Sequence, residues 1–173
     1  MTIRQEHPSD YPEVYNLVKM AFATNPDDDK STPDYLNDLR TKPVFIPELS
    51  LVAQHENGAI IGQIVLYQTD ITTPQGDKIT QLVLSPISVH PAHFRKGIAR
   101  KLVEDALETA KNMGYKAVFL CGHPPLYRKL GFTPTYEYNI FHIDDKEKTA
   151  QWCMVRELVP GALDNITGSV DCL

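Results

Sequence analysis

Ser85-Pro86-Ile87-Ser88-Val89-His90-Pro91-Ala92-His93-Phe94-Arg95-Lys96-Gly97-Ile98-Ala99-Arg100 is the stretch on which the fold turns. A β-branched strand stops at Pro91. A basic loop containing Gly97 follows, and an amphipathic helix begins at once. Leu102, Val103, Ala106, Leu107 and Ala110 share one face of that helix out to Met113, and Gly114 stands just past its end, where glycine ends helices. Lys116-Ala117-Val118-Phe119-Leu120-Cys121 then forms a nearly continuous apolar run, the pattern of a strand inside a parallel pair. Strand, helix and strand make one right-handed crossover. The start of such a helix aims backbone N–H groups and a positive helix end at one point, which suits a phosphate. A turn that needs Gly97 only for its geometry reads the same way, so the rest of the chain must decide.

Upstream of this unit the chain reads as a meander. Ile3-Arg4-Gln5 is a short strand, and Ser9 or Asp10 can cap a helix carrying Val14, Leu17, Val18, Ala21 and Phe22 at helical spacing. Asn25-Pro26-Asp27-Asp28-Asp29 breaks it, and Thr32 caps a second helix from Pro33. Ser50–Gln54 and Ile60–Tyr67 are strands around Glu56-Asn57-Gly58, a strong hairpin signal. Ile79–Val89 completes the meander after a turn at Pro74–Asp77. Downstream, a short helix over Pro125–Leu130 ends at Gly131, and Thr135–Phe141 and Trp152–Leu158 form a closing hairpin. The expectation is one α/β domain over residues 1–173. Its twisted sheet is mixed and mostly antiparallel, with about six or seven strands, one parallel pair and flanking helices.

At 173 residues with 42% hydrophobic and 23% charged residues, the chain has the composition of an ordinary globular domain with a sizeable core. No apolar run approaches a membrane span and no apolar signal core follows Met1, so neither membrane insertion nor export is expected. Cys121, Cys153 and Cys172 are odd in number and widely spaced, which argues against a disulfide framework and for a reducing cytoplasm. The net charge of −5 argues against nucleic-acid binding. Residues 91–130 nevertheless hold eight of the 17 Lys and Arg but only three of the 22 Asp and Glu, a local +5 against −10 elsewhere. A basic island on an acidic protein fits a compact polyanion.

Two regions can carry chemistry. The loop offers the N–H groups of Lys96, Gly97, Ile98 and Ala99 together with the charges of Arg95, Lys96 and Arg100. It is neither a Walker loop nor a dinucleotide fingerprint, because only Gly97 and Ala99 fill the small positions. The second region is Tyr127-Arg128-Lys129-Leu130-Gly131-Phe132, just after the second parallel strand, where a phenol could donate a proton to a leaving group or simply pack on the sheet. No G-x-S-x-G supports serine hydrolysis. His90, His93, Cys121 and His123 lack the paired spacing of a zinc site, so no metal is expected.

Together the two regions resemble the GNAT superfamily of acetyl-coenzyme A-dependent N-acyltransferases. Its loop pattern, V-x-P-x-x-(Q/R)-x-x-G-x-(G/A), reads here as Val89-His90-Pro91 followed by Gly97-Ile98-Ala99, and its later Y-x-x-x-G-F is Tyr127 through Gly131-Phe132. The element order agrees over nearly the whole chain, and Met154–Leu163 resembles a bacterial subgroup of predicted acetyltransferases with no assigned substrate. The sequence departs from the pattern at Phe94, where Gln or Arg is usual, with Arg95 one place late. The backbone contribution does not depend on that side chain.

The resemblance implies acetyl-coenzyme A as co-substrate. Ile87 and Val89 would lie along its pantetheine arm, and Arg95, Lys96, Gly97, Ile98, Ala99 and Arg100 would hold its pyrophosphate. Tyr127 would protonate the departing thiolate after direct attack by an amine. The central strand lacks the glutamate that often serves as base, which leaves Asp70, His123 and Glu137 as candidates. The acceptor is a small-molecule or peptide amine, attracted if cationic by the acidic remainder of the chain, and a homodimer through the closing strands is possible. The competing reading is a non-catalytic coenzyme A-binding sensor of the same fold.

Overall fold

The computed structural model describes residues 1–25 and 30–172. The acidic run Asp27-Asp28-Asp29, expected to break the first helix and to attract cationic amines, lies outside them. The elements are β1 (Thr2–Gln5), α1 (Tyr11–Phe22), α2 (Thr32–Leu39), β2 (Phe45–Gln54), β3 (Ile60–Thr72), β4 (Lys78–Val89), α3 (Ile98–Asn112), β5 (Ala117–Cys121), α4 (Pro124–Arg128), β6 (Thr133–Pro134), β7 (Ile140–His142), β8 (Cys153–Glu157) and β9 (Gly168–Val170). They gather into two compact units, one from Met1–Leu66 with Pro86–Thr109 and the other from Tyr67–Ser85 with Ala110–Leu173. No helix among the described residues is long and apolar enough to cross a membrane.

In the first unit the strands run β1-β2-β3-β4. β1 pairs antiparallel with β2, Ile3 opposite Ala53. Gly58, with φ +93°, turns β2 into β3, as the Asn57-Gly58 dipeptide leads one to expect. Helix α1 buries Val14, Leu17 and Val18, while Ala21 and Phe22, which share the expected spacing, are only half-buried; α2 buries Leu36 and Leu39. Gly62 sets how closely α3 can approach, because a Cβ there would stand 3.0 Å from both Ile98 Cγ2 and Leu102 Cδ1. Arg40 is buried and forks onto Glu6, Nε reaching Oε2 at 3.2 Å, while the Ser50 hydroxyl donates to Glu6 Oε2 at 2.7 Å. The Tyr11 ring covers the Arg40 guanidinium at 4.0 Å.

In the second unit the strands run β3-β4-β5-β8-β6. The expected parallel pair is β4 with β5, Leu82 opposite Val118 and Val83 opposite Phe119. Gln81 fixes the start of β5, its Oε1 accepting the N–H groups of Lys116 and Ala117 at 3.1 and 3.0 Å. β8 runs antiparallel to β5 and to β6. Two short strands lie off this path: β7 pairs in parallel with β9, and β9 pairs antiparallel with β3.

Three expectations need correction. Thr135–Phe141 is not one strand: Thr135–Tyr138 coils into a 3-10 turn, Asn139 takes a left-handed φ of +58°, and only Ile140 onward is extended. The expected closing hairpin is therefore replaced, β8 pairing with β6 and β5 while β7 joins β9. The expected six or seven strands are met by the seven on the main path among the described residues, although β6 and β9 are too short to register as periodicity. The cysteines are not independent either. Cys121 and Cys172 are disulfide-bonded across 51 residues, and Cys153 Sγ lies 3.6 Å from Cys172 Sγ. Spacing along the chain did not reveal this, since β5, β8 and the segment after β9 converge only through the fold. Burial pushes the Cys153 thiol up to about 11.

Candidate functional site

In the first unit β4 ends at Val89 and passes through a single 3-10 turn, Pro91–His93, toward α3. The His90 N–H donates to the Ile61 carbonyl of β3 at 2.8 Å. Successive backbone groups of a strand point to opposite edges, so the Val89 N–H points away from β3. Ser88 is buried and accepts a hydrogen bond from Gln63 Nε2 at 3.0 Å, while Ile87 and Val89 are half-buried on the other face.

The loop itself is backbone-strained. Phe94 leaves the turn extended and 45% exposed. Arg95 then adopts φ +62° and Gly97 φ +80°. A non-glycine residue is uncommon in that region, whereas glycine enters it freely. Left-handed residues two apart turn the neighbouring N–H groups toward a common side, an anion-binding arrangement. Among the described residues, no acceptor takes the N–H groups of Lys96, Gly97, Ile98 or Ala99. The first bond of the helix ladder runs from the Lys101 N–H to the Gly97 carbonyl at 3.0 Å. Four free donors thus sit at the positive end of a 15-residue helix.

Ile98, only 4% exposed, anchors the helix start against Gly62. Arg95, Lys96 and Arg100 are exposed around it, Arg100 lying 4.0 Å from Glu104. His93 is held below the usual histidine range, by desolvation first and then by Lys96, His55 and His90. The structure therefore brings the six expected loop residues into one basic, donor-rich turn.

In the second unit β5 leads through Gly122 into α4, which carries Tyr127. A Cβ on Gly122 would collide with Tyr127 Cε2 and stand 2.9 Å from Cδ2, so the ring lies flush on a backbone that only glycine permits. Phe132 holds the ring from its edge, with centroids 6.0 Å apart. The Phe132 N–H donates to the Tyr127 carbonyl at 3.1 Å, closing the turn at Gly131, and Arg156 Nη1 donates to the Leu130 carbonyl at 2.8 Å. The Tyr127 hydroxyl makes no hydrogen bond among the described residues. Burial pushes its pKa above the ordinary phenol value, so it keeps its proton at neutral pH.

Of the candidate bases, Asp70 is already engaged by the Thr80 hydroxyl at 2.7 Å and by Lys78 at 3.4 Å. His123 and Glu137 are exposed, His123 at the N-cap of α4 and Glu137 in the 3-10 turn. Sequence reading missed Gly122 and the left-handed Arg95. A lone glycine two residues before two prolines was the available signal for the first, and nothing local marks the second.

Known proteins resemble this chain over nearly its whole length. Residues 2–135 match the family described as an acetyltransferase (GNAT) domain. An uncharacterized N-acetyltransferase of Escherichia coli, YhbS, is 28% identical over 172 residues, covering 99% of this chain and 95% of its own. The crystal structure of the E. coli GNAT family N-acetyltransferase YhbS in complex with CoA has a TM-score of 0.86 at 26% identity, covering 99% of this chain and 89% of that one. A GNAT family acetyltransferase from Brucella melitensis in complex with acetyl-CoA has the same fold, with a TM-score of 0.78 at 24% identity over 99% of this chain and 95% of that one.

Proposed function

The chain belongs to the GNAT acetyltransferase domain family, and from that premise we propose that it moves an acetyl group from acetyl-coenzyme A to an amine. The observation that carries the proposal is the set of four unpartnered N–H groups from Lys96 to Ala99 at the start of α3. Their donor chemistry fits a pyrophosphate, and the exposed side chains of Arg95, Lys96 and Arg100 add matching charge. Bound acetyl-coenzyme A supplies an activated thioester.

The chain's own residues divide the remaining work. The loop amides hold the pyrophosphate without help from Phe94, because backbone donors are indifferent to that side chain. The outward backbone edge at Val89, beside Ile87, pairs with the amide-bearing arm as an added strand would. A backbone N–H near the end of β4 polarises the thioester carbonyl. Tyr127, kept protonated by burial, donates its proton to the departing thiolate. With Asp70 tied to Thr80 and Lys78, no side chain is assigned as base, and the amine attacks in its neutral form. We propose a small-molecule or peptide amine as the acceptor and the cytoplasm as the compartment.

The test is to follow thiol release from acetyl-coenzyme A in the presence and absence of a panel of primary amines, peptides included. Amine-dependent release with acetylated product by mass supports the proposal. Tight binding of acetyl-coenzyme A with no amine-dependent release across the panel overturns it in favour of a coenzyme A sensor.

A further inference from the structure

The second unit holds a cluster that acetyl transfer does not use. Cys121 ends β5, Cys153 stands directly opposite it on β8, and Cys172 follows β9 by two residues. β9 pairs with β7, where His142 lies opposite Val170. Four residues from four segments converge there. The sulfurs of Cys121 and Cys172 and a ring nitrogen of His142 all lie within 4.8 Å of one another, and Cys153 Sγ is 3.6 Å from Cys172 Sγ.

His142 is the second, independent observation. Its side chain is fully buried, yet Nε2 has no hydrogen-bond partner among the described residues. The nearest carboxylate, Asp171 Oδ1, is 3.9 Å away, beyond hydrogen-bond reach. The Asp144 N–H donates to Nδ1 at 3.1 Å, which makes Nδ1 the acceptor and leaves the ring proton on Nε2. A buried donor left unsatisfied is destabilising, so such a group calls for an explanation.

We propose that the reduced chain binds one thiophilic divalent cation of the zinc class at this cluster, through Cys121, Cys172, His142 and Cys153. Three thiolates and one imidazole are a common structural zinc set. A tetrahedral site with metal–sulfur bonds of about 2.3 Å places neighbouring sulfurs about 3.8 Å apart, and Cys153 and Cys172 already stand at 3.6 Å.

The disulfide must first open. A phosphine delivers two electrons to the Cys121–Cys172 bond and leaves as its oxide, water supplying the oxygen and the two thiol protons; a dithiol supplies two electrons and two protons and leaves as a disulfide. The cation then displaces one proton from each of the three thiols. His142 coordinates as a neutral ring, its proton moving from Nε2 to Nδ1. The Asp144 backbone N–H gives up that nitrogen, and the Asp144 carboxylate, 3.9 Å away, becomes the acceptor. The same cysteines therefore fasten the segment after β9 to β5 either through a disulfide or through a metal. A reducing compartment selects the metal.

The test uses the full-length protein, reduced anaerobically with a phosphine, counted for three free thiols and titrated with Co(II). The expected result is one Co(II) per chain with thiolate-to-cobalt charge-transfer bands, lost when Zn(II) is added and absent from the oxidised protein. Trp152, the sole tryptophan, sits 4.9 Å from the His142 ring, so its fluorescence should be quenched in step. Cys172→Ser and His142→Asn should each lose or redshift the bands while keeping the far-ultraviolet circular dichroism of the parent. A reduced parent that takes up no Co(II) overturns the proposal. So does a disulfide that survives the phosphine, or both variants binding with the parent spectrum.

Discussion

Tyr127 shows at a single residue how fold and chemistry meet. Its ring is pressed against Gly122, its edge contacts Phe132, and its hydroxyl is left without a partner. A tyrosine kept only for packing would lose little on removal of that oxygen. The expectation is that Tyr127→Phe lowers kcat by about 10²- to 10⁴-fold, the usual worth of a positioned general acid, and leaves acetyl-coenzyme A affinity unchanged. Steady-state kinetics with a binding titration checks both. The pH dependence follows from the direction of the shift. Burial raises the phenol pKa above its ordinary value, so the protonated, donating form persists up to pH about 10 and is lost only beyond it. The kcat profile should therefore show no loss from Tyr127 ionisation between pH 7 and about 10. A descending limb inside that window that disappears in Tyr127→Phe would contradict the assignment. Tyr127 and Gly97 could be read from sequence because each sits in a short motif. The cysteine cluster could not, because Cys121, Cys153, Cys172 and His142 become neighbours only through the pairing of β5 with β8 and of β7 with β9.

At the scale of elements, the decisive piece is the junction of β4 and α3. Periodicity located both accurately: the strand over Ile79–Val89 and the helix from Ile98 are long, and their patterns are unambiguous. Short elements escaped for a physical reason. β9 is three residues, Gly168-Ser169-Val170, and exists because Gly168 lets the backbone approach the Thr72 carbonyl, where a Cβ would stand 2.5 Å away. The Thr135–Tyr138 segment has the aromatic content of a strand but coils, and Asn139 reverses it in a left-handed conformation. The junction makes its own prediction. A Cβ on Gly97 would meet nothing within 4 Å, so Gly97→Ala costs only backbone strain, about 1–2 kcal/mol at φ +80°. If the loop relaxes to relieve that strain, the free N–H groups lose their common aim. Thermal unfolding should show the small loss, and calorimetry should show weakened acetyl-coenzyme A binding. An unchanged affinity would mean that the loop amides do not hold the ligand.

For the whole molecule, charge and burial set the remaining expectations. The buried Glu6–Arg40 pair, capped by the Ser50 hydroxyl and the Tyr11 ring, ties β1 to α2 and β2 in the first unit. Removing one partner strands the other charge in the core, so Glu6→Gln should cost about 3–5 kcal/mol in denaturant unfolding. A loss within about 0.5 kcal/mol, typical of a surface site, would show that the pair is not buried in solution. The basic island of residues 91–130 on a chain of net charge −5 predicts ligand binding that weakens as salt rises, since its cations are exposed. That expectation could be read from composition alone, whereas the aim of the donors at the α3 start needed the backbone angles of Arg95 and Gly97. The most direct test of the central claim is calorimetric titration of the protein with acetyl-coenzyme A, beside a chain carrying Arg95→Glu and Lys96→Glu. Saturable one-to-one binding to the parent, lost in the charge-reversed chain, is the expected result. No binding to the parent, or equal binding by both, would contradict the claim that this loop holds the pyrophosphate.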